Sequence, residues 1–282
     1  MVRLFQFLAR LPLWLLHALG WVTGWTAFLA SRTYRTHFSE NVALAGIRPH
    51  DRRKAIGEAG KLVLELPRLW LGQAPAVRWD GDFHIDAAFA SGRGLLFLTP
   101  HLGCFEITAQ AYAARYGVQG SKPMTVLFRP PRKAWLTELV MRARARPGLK
   151  TAPTTLAGVK QLIKALKAQE CVGLLPDQVP PKSLGIWSEF FGREAYTMTL
   201  SARLAQQTGA VLLLAWGERL PAARGYNIHV RPMPQALDAD LETAVRQINQ
   251  AMEQLILECP SQYLWGYARY KSPKDDVSGV GL

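Results

Sequence analysis

A chain of 282 residues and 31.4 kDa is long enough to bury a sizeable core, and a composition 49% apolar and 20% charged excludes a disordered polymer and a multi-span membrane protein. Its 34 Lys+Arg outnumber 21 Asp+Glu for a net charge of +13, so an anionic partner is expected: a phospholipid surface, nucleic acid or an acidic protein. Three scattered cysteines, Cys104, Cys171 and Cys259, exclude a disulfide framework and a metal-ligand spacing, and Cys104 reads as a small buried residue.

The first predicted element is the run "LPLWLLHALGWVTGWTAFLA", residues 11–30, which carries no formal charge beyond His17. As a helix it reaches about 30 Å, one hydrocarbon core, and it is too long for the apolar part of a secretory signal. It is expected to be a retained membrane anchor occupying residues 1–35, with 36–282 forming a single domain. Trp14, Trp21 and Trp25 suit a lipid interface, whereas Pro12, Gly20 and Gly24 interrupt an ideal straight span. Basic residues flank both ends, Arg3 and Arg10 before and Arg32 and Arg35 after, so charge leaves the orientation open. A helix lying in one leaflet stays an alternative.

Next, residues 49–72 show helical spacing, with Pro67 expected to kink or end the helix. Short continuous apolar runs follow, "GLLFLT", "PMTVLF", "CVGLLPD" and "AVLLLAW", of the kind buried on both sheet faces, and "GYNIHVRPM" adds another strand. Between and after them lie helical patterns, "FEITAQAYAARYG", "AWLTELVMRARA", "LAGVKQLIKALKAQE", "TMTLSARLAQQTG" and "LDADLETAVRQINQAMEQLILECP". Alternating strands and helices predict an α/β fold, a mostly parallel central sheet flanked by helices.

Charge is concentrated as well. Arg129, Arg132, Lys133, Arg142, Arg144, Arg146 and Lys150 face Glu138 alone, which reads either as a solvated helix face or as a patch for an anionic partner. Nucleic acid is disfavoured because there is no zinc-ligand spacing, glycine-rich phosphate loop or aromatic-basic RNA signature.

The chemistry centres on "TPHLGCFE", Thr99 to Glu106. His101 falls just past an expected strand and Glu106 in the first turn of the next helix. On a continuous helix five residues would set the side chains about 140° apart, but a loop-to-helix bend lets the carboxylate reach one imidazole nitrogen. The other nitrogen is then open to take a proton from an attacking hydroxyl. Carboxyl ends of sheet strands are where α/β proteins hold their sites.

"PHLGCFE" resembles the HxxxxE/D motif of the lysophospholipid acyltransferase superfamily, in particular its late lipid A biosynthesis acyltransferases. Three segments agree in order, "VLFRPPRKAWLTELVMRARAR", "GLLPDQVP" and "FFGREAYTMTLSARLAQQTGAVLL", and "CPSQYLWGYARYKS" resembles that branch's terminal pattern. The resemblance implies a glycerolipid acyltransferase-like fold. It implies His101 as general base, Glu106 as its orienting partner and Arg129 as stabiliser of the oxyanion. Asp177 and Gln178 would shape the site or bind the acceptor, with a turn or cap by Asp177 as the structural alternative. Phe191, Gly192 and Thr197 match a further segment, and Arg132, Lys182 and Arg193 are candidates for phosphate or sugar carboxylate.

The implied donor is an acyl-acyl carrier protein and the implied acceptor an anionic glycolipid at a membrane surface. No metal or other cofactor is called for. The implied location is the cytoplasmic face of a bacterial inner membrane. Other acceptors (a lysophospholipid, ornithine lipid or mannosylated lipid), a non-catalytic basic membrane-binding module and a lipid hydrolase are the competing readings.

Overall fold

The computed structural model describes residues 2–128 and 146–274. It opens with four helices, α1 (Val2–Arg10), α2 (Leu13–Ala30), α3 (Arg32–Leu44) and α4 (Pro49–Leu71). Ser31 caps α3 by accepting from Tyr34 N at 3.2 Å.

Gly20 and Gly24 on α2 meet Gly57 and Gly60 on α4. A Cβ on Gly20 would lie 2.6 Å from Lys61 Cα, and one on Gly24 would strike Ile56 O. The glycines that interrupt an ideal span are therefore the surface through which two helix backbones approach, a small-residue packing seam. Leu13, Leu16 and His17 are buried along the same α2 face, while Trp14, Val22 and Leu29 stay more than 60% exposed. Among the described residues, α2 is the one helix long and apolar enough to cross a membrane.

Pro67 does not end α4, which runs on to Leu71. Its lost hydrogen bond is tolerated because tertiary contacts hold the last turn. Arg68 Nη1 donates to Leu11 O at 2.9 Å, and Arg146 Nη2 donates to the carbonyls of Leu69 at 2.6 Å and Trp70 at 3.0 Å.

Beyond α4 come β1 (Val77–Asp80), α5 (Phe83–Ala90), β2 (Leu95–Leu98), α6 (Phe105–Tyr112), β3 (Met124–Phe128), β4 (Leu149–Pro153), α7 (Leu156–Lys167) and β5 (Cys171–Leu174). The chain continues through β6 (Gly185–Phe190), β7 (Arg193–Met198), α8 (Leu200–Thr208), β8 (Val211–Arg219), β9 (Tyr226–Pro232) and α9 (Leu241–Glu258). Seven strands form one sheet in the order β1-β9-β8-β2-β5-β3-β4, parallel at every pairing except β8 with β9. This is the mixed α/β fold with a mostly parallel sheet that the alternating pattern predicts.

Strand β2 sits at the centre between β8 and β5, and all four of its residues are buried. Its side chains alternate between two cores. Leu96 and Leu98 join Val172, Leu214, Ile248 and Trp265 on one face; Leu95 and Phe97 join Ile107, Tyr112, Leu213 and Ile228 on the other. Helix α9 buries Val245, Ile248, Met252 and Ile256 at helical spacing against the first core.

The pair β6–β7 is a separate antiparallel hairpin, and it displaces an expected element. The helix read from "TMTLSARLAQQTG" begins only at Leu200, because Thr197 and Met198 finish β7. At the hairpin's tip Phe191 and Gly192 take φ of 48° and 74°, the two left-handed residues of a type I′ turn.

Candidate active site

The site lies where β2 and β5 end side by side. Their parallel register pairs Leu98 with Leu174, and carrying the same offset three residues further brings His101 level with Asp177. Each segment runs from a buried leucine through a proline to its polar residue, "LTPH" and "LLPD". Thr99 N donates to Leu174 O at 3.0 Å, extending the ladder past the strand ends.

Asp177 holds the histidine at two points. His101 Nδ1 donates to Asp177 Oδ1 at 2.7 Å, and the His101 backbone N–H donates to Oδ2 at 2.9 Å. Tyr263 Oη–H donates to Oδ2 as well, at 3.2 Å. Burial alone would raise the Asp177 pKa, but the His101 imidazole and its hydrogen bonds outweigh that and hold it below the ordinary carboxylate value. An ionised Asp177 requires the imidazole proton on Nδ1, which leaves a lone pair on Nε2. The Gln178 amide donates to that nitrogen at 3.0 Å, and the Phe105 ring packs edge-on against the imidazole with centroids 4.9 Å apart.

Glu106 stands elsewhere, which corrects the expected contact. It sits in the first turn of α6 and accepts from Trp70 Nε1 at 3.3 Å, and its charge favours the protonated form of nearby Arg146. The physical reason is the sheet register: Nδ1 is met by a carboxylate in the turn that follows the adjacent strand β5, which spacing within one segment cannot reveal. Asp177, read as site-shaping, is the group that orients His101.

The carboxyl-terminal segment is the clamp that sequence reasoning matched by pattern without assigning contacts. Gly103 N donates to Gln262 O at 2.9 Å, Leu264 N to His101 O at 3.2 Å, and Val179 N to Tyr267 Oη at 3.0 Å. One short stretch thus ties down both the His101 loop and the Asp177 loop. Its signal in the sequence is the "QYLWGY" cluster of aromatics around one glutamine.

A second support lies beneath. Fully buried Glu65 accepts from Arg219 Nε at 2.9 Å and Nη2 at 2.7 Å, from Tyr226 Oη at 2.9 Å and from His17 Nε2 at 3.2 Å. Arg219 Nη2 also donates to Gly103 O at 2.9 Å, and Gly103 holds a φ of 59°. Burial would raise the Glu65 pKa, yet Arg219 and His17 bring it down to about 2. Cys104 is fully buried, and burial first, then Glu65, pushes its thiol well up, so it is an inert core residue.

The remaining candidates are spread out. Thr197 is buried and accepts from Arg269 Nη2 at 2.6 Å, in a contact that ties β7 to the carboxyl-terminal segment. Phe191 and Gly192 form the hairpin tip, with Phe191 against Trp265 at 5.8 Å. Arg193 is exposed over the Tyr270 ring, and Lys182 is exposed with its backbone N–H on Lys274 O. Arg129 and Arg132 lie outside the described residues, as do Lys133, Glu138, Arg142 and Arg144 of the basic cluster and the helix read from "AWLTELVMRARA".

The chain matches the family described as bacterial lipid A biosynthesis acyltransferase over residues 8–272. It is 27% identical over 282 residues to a lipid A biosynthesis lauroyltransferase of Escherichia coli (strain K12), covering 95% of this chain and 89% of that one. It is 24% identical over 231 residues to the lipid A biosynthesis palmitoleoyltransferase of the same strain, covering 79% and 73%. A lipid A biosynthesis acyltransferase 2 of Shigella flexneri shares 25% over 202 residues, 71% of this chain and 62% of that protein.

Proposed function

We propose, from the premise that this chain belongs to the bacterial lipid A biosynthesis acyltransferase family and is an acyltransferase of lipid A biosynthesis, that it moves a fatty acyl chain from an acyl-acyl carrier protein to a hydroxyl of a lipid A precursor. His101 is the general base and Asp177 its orienting carboxylate. The single observation that carries this reading is the 2.7 Å hydrogen bond from His101 Nδ1 to Asp177, which leaves Nε2 as a proton acceptor.

The steps follow from that tautomer. The acceptor hydroxyl takes the place of the Gln178 amide at Nε2 and gives up its proton as its oxygen attacks the thioester carbonyl. Asp177, fully buried and ionised, stabilises the imidazolium that forms. Collapse of the tetrahedral intermediate breaks the C–S bond, and the imidazolium returns the proton to the leaving thiolate. Arg129, which follows directly on β3, is assigned the oxyanion by resemblance. Glu106 retains a place in the reading as the residue that holds Trp70 beside the site. Lys182, Arg193 and Arg132 remain candidates for the acceptor's anionic groups, and Phe191, Gly192 and Thr197 support the hairpin next to it.

The exposed apolar residues of α1 and α2, among them Phe7, Trp14, Val22 and Leu29, are the surface we assign to the membrane, with the sheet on the cytoplasmic side of a bacterial inner membrane. On this reading residues 1–35 anchor and residues 36–282 form the catalytic body. The test is transfer by the purified protein in detergent, with acyl-acyl carrier protein or acyl-coenzyme A as donor and a lipid A precursor or lysophosphatidic acid as acceptor. Preference for the carrier protein and the lipid A precursor is expected, with His101→Ala about 10²- to 10⁴-fold slower. Equal use of lysophosphatidic acid would overturn the acceptor, and near-normal turnover by His101→Ala the base.

A further inference from the structure

A polar cavity of about 620 Å³ opens between the carboxyl ends of α1 and α4, and neither His101 nor Asp177 lines it. Gln6 and Arg10 line it from α1, Arg68 and Leu71 from α4, and Gly72 and Gln73 from the turn that follows. Two guanidiniums and two amides face this space, and no carboxylate is among its described lining residues. Its floor is backbone: a Cβ on Gly72 would come within 2.5 Å of Ala9 O, so a side chain there would push α1 away.

Arginines at helix carboxyl ends often serve only to neutralise the helix dipole. Here the charge exceeds that need. Two converging helix ends supply about −0.5 each, roughly −1 together, against two full guanidinium charges. Arg68 spends one N–H on Leu11 O at 2.9 Å, but its Nε is buried without an acceptor among the described residues. A buried donor left so is costly, and an anion seated in the cavity would satisfy it. The residual charge of about +1 matches one phosphodiester.

The surroundings indicate what that phosphate is attached to. Phe7, next to Gln6 on α1, is 60% exposed, and Leu71, which lines the cavity, is 38% exposed. Guanidiniums in a recess with bare apolar side chains beside them are the arrangement of an interfacial lipid site, with head group on the cations and chains along the apolar residues. We propose that the cavity between α1 and α4 binds the phosphate of a lipid head group through Arg10 and Arg68, and so sets how the amino-terminal helices sit on the membrane. This rests on the reading that these helices face lipid, and it is independent of which residue is the catalytic base.

The test uses the full chain in uncharged detergent micelles, titrated with dioctanoylphosphatidylglycerol, with dioctanoylglycerol and with inorganic phosphate, bound lipid being read by native mass spectrometry. The wild type is expected to bind phosphatidylglycerol, the Arg10→Gln/Arg68→Gln pair at least about tenfold more weakly, and the Arg10→Lys/Arg68→Lys pair, which keeps the charge but not the guanidinium N–H groups, between the two. Dioctanoylglycerol is expected to bind all three alike. Equal phosphatidylglycerol binding by wild type and the glutamine pair would overturn the site. Inorganic phosphate binding as tightly as the lipid would overturn the lipid assignment.

Turnover separates the two lipids that carry such a phosphate. In the glutamine pair an unchanged KM for the acceptor assigns the site to bilayer phospholipid, and a raised KM with unchanged kcat to the acceptor's own phosphate. His101→Ala keeps phosphatidylglycerol binding, so a failure of the catalytic reading registers separately.

Discussion

On the proposed mechanism the chemistry turns on Asp177, which contributes both geometry and charge. It fixes the tautomer of His101 through Oδ1 and the backbone of the same residue through Oδ2. Asp177→Asn keeps the size and can still accept one hydrogen bond, but it removes the charge that stabilises the imidazolium. The expected result is a fall in kcat of about 10²-fold or more with a smaller change in KM, whereas Glu106→Gln, which keeps an acceptor for Trp70, costs less in kcat. Steady-state kinetics of the two variants check this, and a larger kcat loss in Glu106→Gln would return the orienting role to Glu106. His101 was legible in the sequence because it follows an apolar strand and precedes an amphipathic helix. Its partner was not, since strand order in a sheet is a three-dimensional fact. The parallel "LTPH" and "LLPD" endings were the available clue.

At the scale of elements, the buried strands β2, β3, β5 and β8 announced themselves as continuous apolar runs because both of their faces are covered. Edge strands β1 and β4 did not. "VRWD" and "LKTAP" pair on one side only, so polar side chains alternate along them and the pattern blurs. The β6–β7 hairpin escaped for a similar reason, its "GIWSEF" and "REAYTM" segments being half exposed. Pro67 does not stop α4, because the tertiary contacts of Arg68 and Arg146 hold the following turn. The α2–α4 seam yields a direct prediction. Gly24→Leu places a branched side chain against the Ile56 carbonyl and is expected to undock α2 and destabilise the protein by about 1–3 kcal/mol. Faster proteolysis between α2 and α4, together with a lower thermal midpoint, would report it, and an unchanged midpoint would mean the helices do not pack through these glycines.

Across the whole molecule, the amino-terminal helices, the sheet and the carboxyl-terminal segment meet on one buried polar network. Glu65 from α4 joins His17 of α2, Arg219 of β8 and Tyr226 of β9, and Arg219 reaches the His101 loop at Gly103. Because the folded state holds Glu65 at about 2 against an ordinary 4.5, its contribution is complete above about pH 4.5 and is lost as the pH falls toward 2. Asp177, also depressed, adds in the same direction. Denaturant unfolding is expected to show level stability from neutral pH to about 5 and a decline below it. Glu65→Gln, though less stable throughout, is expected to lose much of that slope, and an unchanged slope would place the acid-sensitive group elsewhere. The net charge of +13 and the apolar amino terminus, both readable from composition, fit a protein that works against anionic lipid.

Acyl transfer to a lipid A precursor is proposed to run on the imidazole that Asp177 holds. It is tested most directly by mass spectrometry of lipid A from cells lacking this gene and supplied with the wild type, His101→Ala or Asp177→Asn, each at matched membrane levels. Lipid A short by one acyl chain is expected in the deletion strain, with full restoration by the wild type and little or none by either variant. Full restoration by Asp177→Asn, or lipid A that keeps every chain in the deletion strain with no second enzyme active, would contradict it.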